Sequence, residues 1–261
     1  MSSEMIQRYG DELFEALRGN TTVAPLTERE SELDLDTAYR ISLHLLQRRL
    51  DDGEAVIGKK IGVTSQAVQD MLDVRQPDFG YLTDRMVYAD GDTIPIADNL
   101  IAPRAEGEIA FVLKRDLRGP GVTSAEVLAA TDFVFPCFEI VDSRIQDWRI
   151  RIQDTVADNA SCGVFALGDT GRRPAHVDLG TCGMVMEKNG VIVATGAGAA
   201  ALGSPLNCVA WLANTLGRLG VPLKAGEVIL SGSLVPLVPV ASGDHIRVTV
   251  GDLGSCSLRF G

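Results

Sequence analysis

Two hydrophobic rhythms divide this chain. Up to about residue 75 apolar residues recur mainly at helical spacing, and from about Tyr81 onward they fall into short strand-like segments. Ile6, Tyr9, Leu13 and Leu17 mark one face of a helix over residues 4–18, which Gly19-Asn20 stops. Ala38, Ile41 and Leu45 form the inner stripe of a second helix from Asp36 to Leu50, closed by Asp51-Asp52-Gly53. Thr64 or Ser65 can cap a third, short helix through Leu72, because a hydroxyl there accepts from a free amide of the first turn. One strand-like run, Ala55 to Val63, is embedded among these helices.

The later segments predict strands over 105–113, 133–141, 163–167, 182–187, 191–194, 227–231 and 245–250. Asn189-Gly190 separates two of them and suits the positive φ of a hairpin turn. Thr123-Ser124-Ala125-Glu126 is a capping box for a helix to about Thr131. Ser204-Pro205 supplies a cap and a first-turn proline for a helix to Leu219, with Gly220 and Pro222 as its stop. Strands and helices do not alternate regularly, which argues against a doubly wound parallel sheet. The pattern predicts an α+β fold with a mixed β-roll or barrel-like core. The division expected is a helical N-terminal region over 1–80 packing on a β-rich catalytic core over 81–261, the two acting as one functional unit.

Composition narrows the function. Hydrophobic residues make up 46% and charged residues 23%, ordinary for a water-soluble domain. A net charge of -11, with Gln47-Arg48-Arg49 as the densest basic cluster, argues against nucleic acid as partner. No apolar run reaches the roughly 18 residues of a membrane span. Met1 to Met5 lacks the basic and apolar parts of a signal peptide, so a cytoplasmic protein is expected. Five scattered cysteines without a C-x-x-C pair fit free thiols in a reducing compartment. His44, His176 and His245 stand apart from one another and from any serine or carboxylate partner, so a Ser-His-Asp site is disfavoured.

The segment Arg104 to Val112 reads as a buried strand that carries two carboxylates, Glu106 and Glu108. Side chains alternate along a strand, so both project to one face, while Gly107 leaves the other face bare for close approach of another segment. An E-x-E pair is often just solvated on the wet face of an edge strand. Glu139, the one charge in the apolar run 133–141, points away from that explanation, since charged residues are rarely buried unpaired. Three such carboxylates suit an oxygen-ligand site for Mg²⁺ or Mn²⁺ with positions left open.

Other residues add to the candidate site. Lys59 and Lys60 are adjacent on a strand, so one at most faces a given site. Three glutamates around a divalent ion leave a net negative charge, so an anionic substrate would need a cation such as Lys60 or Arg104. Asp78 lies in a turn-rich segment, where it either braces the turn or serves as a buried acid or base. The polar stretch Asp154 to Gly163 reads as a loop of the kind that forms lids. Gly196-Ala197-Gly198 precedes a helix and could receive an anion, but it lacks the full dinucleotide fingerprint.

Taken together, Gly58 to Ser65, Gln76 to Gly80, the Glu106-Gly107-Glu108 and Glu139 strands, Asp154 to Ser161 and Leu230 to Leu234 resemble one family in matching order. They are similar to the 2-oxopent-4-enoate (2-hydroxypenta-2,4-dienoate, or vinylpyruvate) hydratases of the fumarylacetoacetate hydrolase superfamily. The resemblance implies a mixed β-roll core and a Mg²⁺ or Mn²⁺ site with Glu106, Glu108 and Glu139 as ligands. It also implies Lys60 as the active-site lysine and Asp78 and Ser161 as polar positions near the substrate; Asp78 is the candidate for proton transfer, and Arg104, from the charge argument, joins Ser161 as a candidate for substrate binding. Lys59 departs from the aromatic residue many relatives carry there, and Ser204 from a histidine. The implied reaction adds water to 2-hydroxypenta-2,4-dienoate in aromatic meta-cleavage catabolism, in a homo-oligomer that can associate with the pathway decarboxylase. The alternatives are a 2-oxo-3-hexenedioate decarboxylase of the same superfamily and a non-catalytic partner of that enzyme. A decarboxylase should offer a second cation for the far carboxylate, and none stands out in the sequence.

Overall fold

The two long N-terminal helices each begin at a side chain that satisfies a free amide. The computed structural model describes residues 2–261. Ser2 accepts from the Met5 amide to open α1 (Ser3–Gly19), and left-handed Asn20 closes it. After α2 (Leu26–Arg29), Asp34 accepts from the Thr37 amide to open α3 (Leu35–Asp51). The chain continues through β1 (Val56–Gly62), α4 (Gln66–Met71), β2 (Asp78–Thr83), β3 (Val87–Tyr88), β4 (Thr93–Ile94) and β5 (Arg104–Leu113). Next come α5 (Ser124–Ala130), β6 (Thr131–Val141), α6 (Ile152–Ala157), β7 (Cys162–Leu167), β8 (Gly183–Lys188) and β9 (Val191–Ala197). The chain ends with α7 (Pro205–Gly217), β10 (Val228–Leu230), β11 (Val238–Pro239), β12 (His245–Val250) and β13 (Gly254–Phe260).

Two mixed sheets result. The larger runs β2-β1-β10-β5-β6-β7-β3, with β11 following β10 along the same edge of β5. The smaller runs β4-β13-β12-β8-β9. Because β1 and β2 lie in the larger sheet, that sheet draws strands from both sides of residue 80. α1 and α3 pack their stripes (Tyr9, Leu13, Ile41, Leu45) with Val156 of α6 into a second apolar cluster beside the sheets.

The larger sheet is strongly curled. Lys60 on β1 and Glu139 on β6 are separated by β10 and β5, about 14 Å across a flat sheet. Yet Lys60 Nζ lies 3.2 Å from Glu139 Oε1. A lysine side chain cannot span that gap alone, so curvature closes it. On the outer face the smaller sheet presses against β5 at the bare position expected from the sequence. A Cβ on Gly107 would stand 2.6 Å from Met184 Sδ and 2.9 Å from Val248 Cγ1.

Some elements escaped the sequence pattern. β2 occupies a stretch that reads as turn, α6 one that reads as polar loop, and β13 one without assignment. β13 does alternate, with Cys256, Leu258 and Phe260 buried, but its serines and Arg259 mask the rhythm. Asp154 and Thr155 of α6 are buried because the helix is wedged between the apolar cluster and the sheet: Asp154 accepts from both the amide and the hydroxyl of Thr27. Gly107→Val should cost about 1–3 kcal/mol by overpacking the contact between the sheets. Thermal denaturation should show a midpoint lower by several degrees, and an unchanged midpoint would contradict this packing.

Candidate active site

Register brings the three glutamates together. β5 and β6 pair antiparallel with Glu106 opposite Glu139 and Glu108 opposite Cys137. Residues directly opposite, and those two apart on one strand, share a face. All three carboxylates therefore point into the concave side of the curl, and one oxygen of each lies within 4.8 Å of the others. Glu108 and Glu139 are wholly buried, while Glu106 is half-buried at the cavity. The Gly232 amide donates to Glu108 Oε2 at 2.8 Å. Glu108 Oε1 and both Glu139 oxygens have no hydrogen-bond partner among the described residues.

That arrangement is electrostatically unbalanced. Burial first, then the neighbouring Glu139, pushes the Glu106 carboxyl up to about 8 and the Glu108 carboxyl well above the usual range. Orphaned buried oxygens demand a partner. An oxygen-ligated divalent cation fits this donor set, and Glu106, Glu108 and Glu139 are the residues that could hold it.

The cation supplied by the chain itself is Lys60. Its Nζ sits at ion-pair distance from Glu139 but without hydrogen-bond alignment. Burial alone would lower its pKa, but Glu139 and Asp78 outweigh that and hold it above the ordinary lysine value. Lys59 points to the opposite face, where it pairs with Glu227 at 2.6 Å beside the Tyr81 ring. Asp78 does not brace a turn. It opens strand β2 opposite Gly62, with both oxygens buried and unpartnered among the described residues. Burial pushes it up to about 6, against the pull of Lys60.

Lys60, Asp78, Arg104, Glu106 and Ser161 all line one cavity of about 710 Å³, ample for a small ligand. Arg104 stacks its guanidinium on the Trp148 ring at 4.4 Å. The wall contributed by Val63, Val68, Leu72, Ile150, Val235 and Leu237 is apolar. None of the three histidines lines this cavity, and His44 instead lies 2.9 Å from Asp11 on the surface of the helical part. Gly196 and Gly198 lie against the carbonyls of Leu234 and Leu179, acceptors that would repel an anion.

Residues 53–260 match the family described as fumarylacetoacetate (FAA) hydrolase C-terminal. The chain belongs to the fumarylacetoacetate hydrolase family. It is 59% identical over 258 residues, 98% of each chain, to a 2-hydroxyhexa-2,4-dienoate hydratase of Comamonas testosteroni. It is 66% identical over 221 residues, 85% of this chain and all of the relative, to a 2-hydroxypent-2,4-dienoate hydratase of Pseudomonas putida. A 4-oxalocrotonate decarboxylase from Pseudomonas putida G7, complexed with magnesium and adipate, superimposes with a TM-score of 0.97 at 37% identity, over 100% of this chain and 99% of its own.

Within the fumarylacetoacetate hydrolase family both departures noted in the sequence fall outside the cavity lining. Lys59 faces away from it, and Ser204 caps α7 by accepting from the Leu206 amide. Sequence reasoning missed the polar frame behind the site. Arg144, buried, donates from Nε to Asp158 Oδ1 at 2.6 Å, from Nη2 to the Asp158 carbonyl at 2.7 Å and from Nη1 to the Cys162 carbonyl at 3.1 Å. Strained backbone surrounds the same cavity. Val63, Asp147, Trp148, Ala160 and Ser161 all have φ between 51° and 58°, and all line the cavity. Each costs about 1–2 kcal/mol in that conformation. Such strain has no signature in a sequence read for periodicity; the nearest signal was Asp142, Arg144 and Asp158, charges inside otherwise buried segments.

If the glutamates hold a divalent ion, Mg²⁺ at about 100 times its Kd should stabilise the fold by roughly 2.7 kcal/mol. Differential scanning fluorimetry should then record a midpoint rise on the order of 5–10 °C that EDTA reverses. Glu139→Gln should abolish the rise. A Glu139→Gln variant that responds to Mg²⁺ like the parent would remove Glu139 from the ligand set.

Proposed function

We propose that this protein is a hydro-lyase that adds water to 2-hydroxypenta-2,4-dienoate, giving 4-hydroxy-2-oxopentanoate. The convergence of three glutamates and one buried lysine in a cavity with an apolar wall carries the assignment. The two hydratases to which the chain is 59% and 66% identical support it. Mg²⁺ or Mn²⁺ would be held by Glu106, Glu108 and Glu139. When bound there, such an ion supplies Lewis acidity that polarises an oxo group lying beside a carboxylate.

The chain's own residues then have distinct tasks. Lys60, kept cationic by the carboxylates around it, binds the substrate carboxylate or the enolate oxygen as negative charge develops there. Arg104 at the rim and Ser161 on the facing turn orient the carboxylate end. Ketonisation requires the enol proton to leave O2 and a proton to arrive at C5. Asp78, with its pKa raised towards neutrality, is suited to take the one and deliver the other. The resulting 2-oxo-3-enoate is electron-poor at C4, where hydroxyl adds, and a proton at C3 completes the addition of one water. The apolar wall keeps other water from the enolate.

A second reading, a 2-oxo-3-hexenedioate decarboxylase, is favoured by the near-identical backbone of the 4-oxalocrotonate decarboxylase. Two observations weigh against it. Identity to the hydratases is higher, and among the described residues the cavity lining holds no cation beyond Lys60 and Arg104. Arg104 lies two residues before Glu106 on the same face of β5, and we assign it to the carboxylate end rather than to a distant second carboxylate. A purely non-catalytic partner would have no use for Asp78 or for the strained turn. We further propose a cytoplasmic homo-oligomer acting in aromatic meta-cleavage catabolism, with association with the pathway decarboxylase, the helical part and β-rich core working as one unit.

The test follows the loss of dienol ultraviolet absorbance with freshly made 2-hydroxypenta-2,4-dienoate, with Mg²⁺, Mn²⁺ or EDTA, the product being identified by NMR. We expect metal-dependent formation of 4-hydroxy-2-oxopentanoate. Lys60→Met should lower kcat/KM by about 10²–10³-fold, and Asp78→Asn should lower kcat by about 10²-fold or more. Release of CO₂ from 2-oxo-3-hexenedioate without hydration of the dienoate would transfer the assignment to the decarboxylase.

A further inference from the structure

Asp78 and Ser161 reach the cavity from different elements, and one side chain ties those elements together. Asn159, buried, directs its amide at the backbone of Tyr81. Its Oδ1 accepts from the Tyr81 N–H at 2.8 Å, and its Nδ2 donates to the Tyr81 carbonyl at 3.0 Å. β2 is the edge strand of the larger sheet, so among the described residues the outward N–H and C=O of Tyr81 have no strand to pair with. A primary amide offers donor and acceptor side by side, as a neighbouring peptide group would. Asn159 thus continues the sheet by one residue.

The contact needs matched residues on both sides. Asn159, Ala160 and Ser161 are consecutive left-handed residues with φ of 53°, 53° and 51°. Asparagine tolerates that conformation better than most side chains. Across from it, Gly80 allows the turn to close on β2: a Cβ there would lie 2.5 Å from the Asn159 carbonyl oxygen. Arg144 secures the ends of the same turn through the carbonyls of Asp158 and Cys162. Asp78 lies three residues before Tyr81, and Ser161 two residues after Asn159, both on the cavity wall.

We infer that Asn159 is a positioning residue, which fixes Ser161 relative to Asp78 by docking the left-handed turn onto the edge of β2. It touches no substrate and acts through Ser161. This rests on the hydratase assignment. Asn159→Gly keeps the backbone freedom and removes the amide. Asn159→Asp keeps the shape and the acceptor but sets a carboxylate oxygen against the Tyr81 carbonyl.

The experiment measures kcat, KM and thermal midpoint for the parent, Asn159→Gly, Asn159→Asp, Ser161→Ala and the Asn159→Gly/Ser161→Ala double variant, all with Mg²⁺. We expect Asn159→Gly and Asn159→Asp to lose about tenfold or more in kcat/KM, with midpoints within a few degrees of the parent. In the double-mutant cycle the double variant should be no worse than Ser161→Ala alone, because the amide works through the hydroxyl. Losses that multiply, or full activity in both Asn159 variants, would overturn the inference. So would a collapse of the midpoint in both, since that marks a structural brace only. A parent that turns over no dienoate would instead sink the hydratase assignment, an outcome plainly distinct from these.

Discussion

Carboxylates less than 5 Å apart in a water-poor interior repel one another by about 3 kcal/mol per ionised pair, taking an effective dielectric of 20. The three pairs formed by Glu106, Glu108 and Glu139 would together rival the roughly 5–15 kcal/mol that separates a folded domain from its unfolded chain. The site therefore cannot hold its glutamates fully charged unless positive charge comes to meet them. Lys60 supplies part of it from across the curl, yet burial first, and then the remaining repulsion, still holds the Glu106 and Glu108 carboxyls above their usual range. A divalent cation relieves all of these repulsions at once. The curl of the larger sheet, the bare outer face at Gly107 and the pairing of β5 with β6 all serve to keep the carboxylates where such a cation can bridge them.

The opposite wall obeys a different logic. The glutamates stand on long, regularly paired strands, whereas Ser161 stands on a turn of left-handed residues that would not persist alone. Buried polar groups hold that turn: Arg144 and Asp158 from behind, Asn159 from the side. Strain of this kind survives only where its surroundings overdetermine it. Its concentration around one cavity shows where the fold gives up local comfort to place side chains. Strand geometry sets the distances among the carboxylates, and the clamped turn sets the distance from them to the hydroxyl.

How much of this was legible in the sequence differed by element. The E-x-E spacing and the lone Glu139 announced the carboxylate cluster, because strand alternation converts spacing directly into a shared face. The hydrophobic stripes of α1 and α3 and the capped α7 were equally readable. Asp78 was not, since Gln76-Pro77-Asp78 reads as a turn, and only pairing with β1 makes a strand of Asp78 to Thr83. α6 was hidden by Asp154 and Thr155, which are buried for tertiary reasons that periodicity does not encode. The approach of Lys60 to Glu139 could not be read at all: it depends on curvature summed over several strands. Family resemblance pointed to Lys60, Asp78 and Ser161 as site residues, and offered nothing for Asn159 or Arg144, whose roles lie in contacts to backbone.

The choice between adding water and losing CO₂ turns on the side chains of one wall. Both outcomes begin with the same charge development at the carboxylate end, so the glutamates and Lys60 cannot discriminate between them. A backbone shared so closely with a decarboxylase cannot do so either. What differs is the reception given to the far end of the substrate. A second carboxylate set against Val68, Leu72, Ile150 and Leu237 would lose water and meet no cation from that stretch of the cavity lining, a penalty of several kcal/mol. A vinyl or alkyl end loses nothing there and gains burial. In the proposed substrate orientation, the wall thus selects against substrates that carry a distant carboxylate. Substrates with an apolar far end remain, and in the proposed reaction the electron-poor C4 of their oxo form is where water adds.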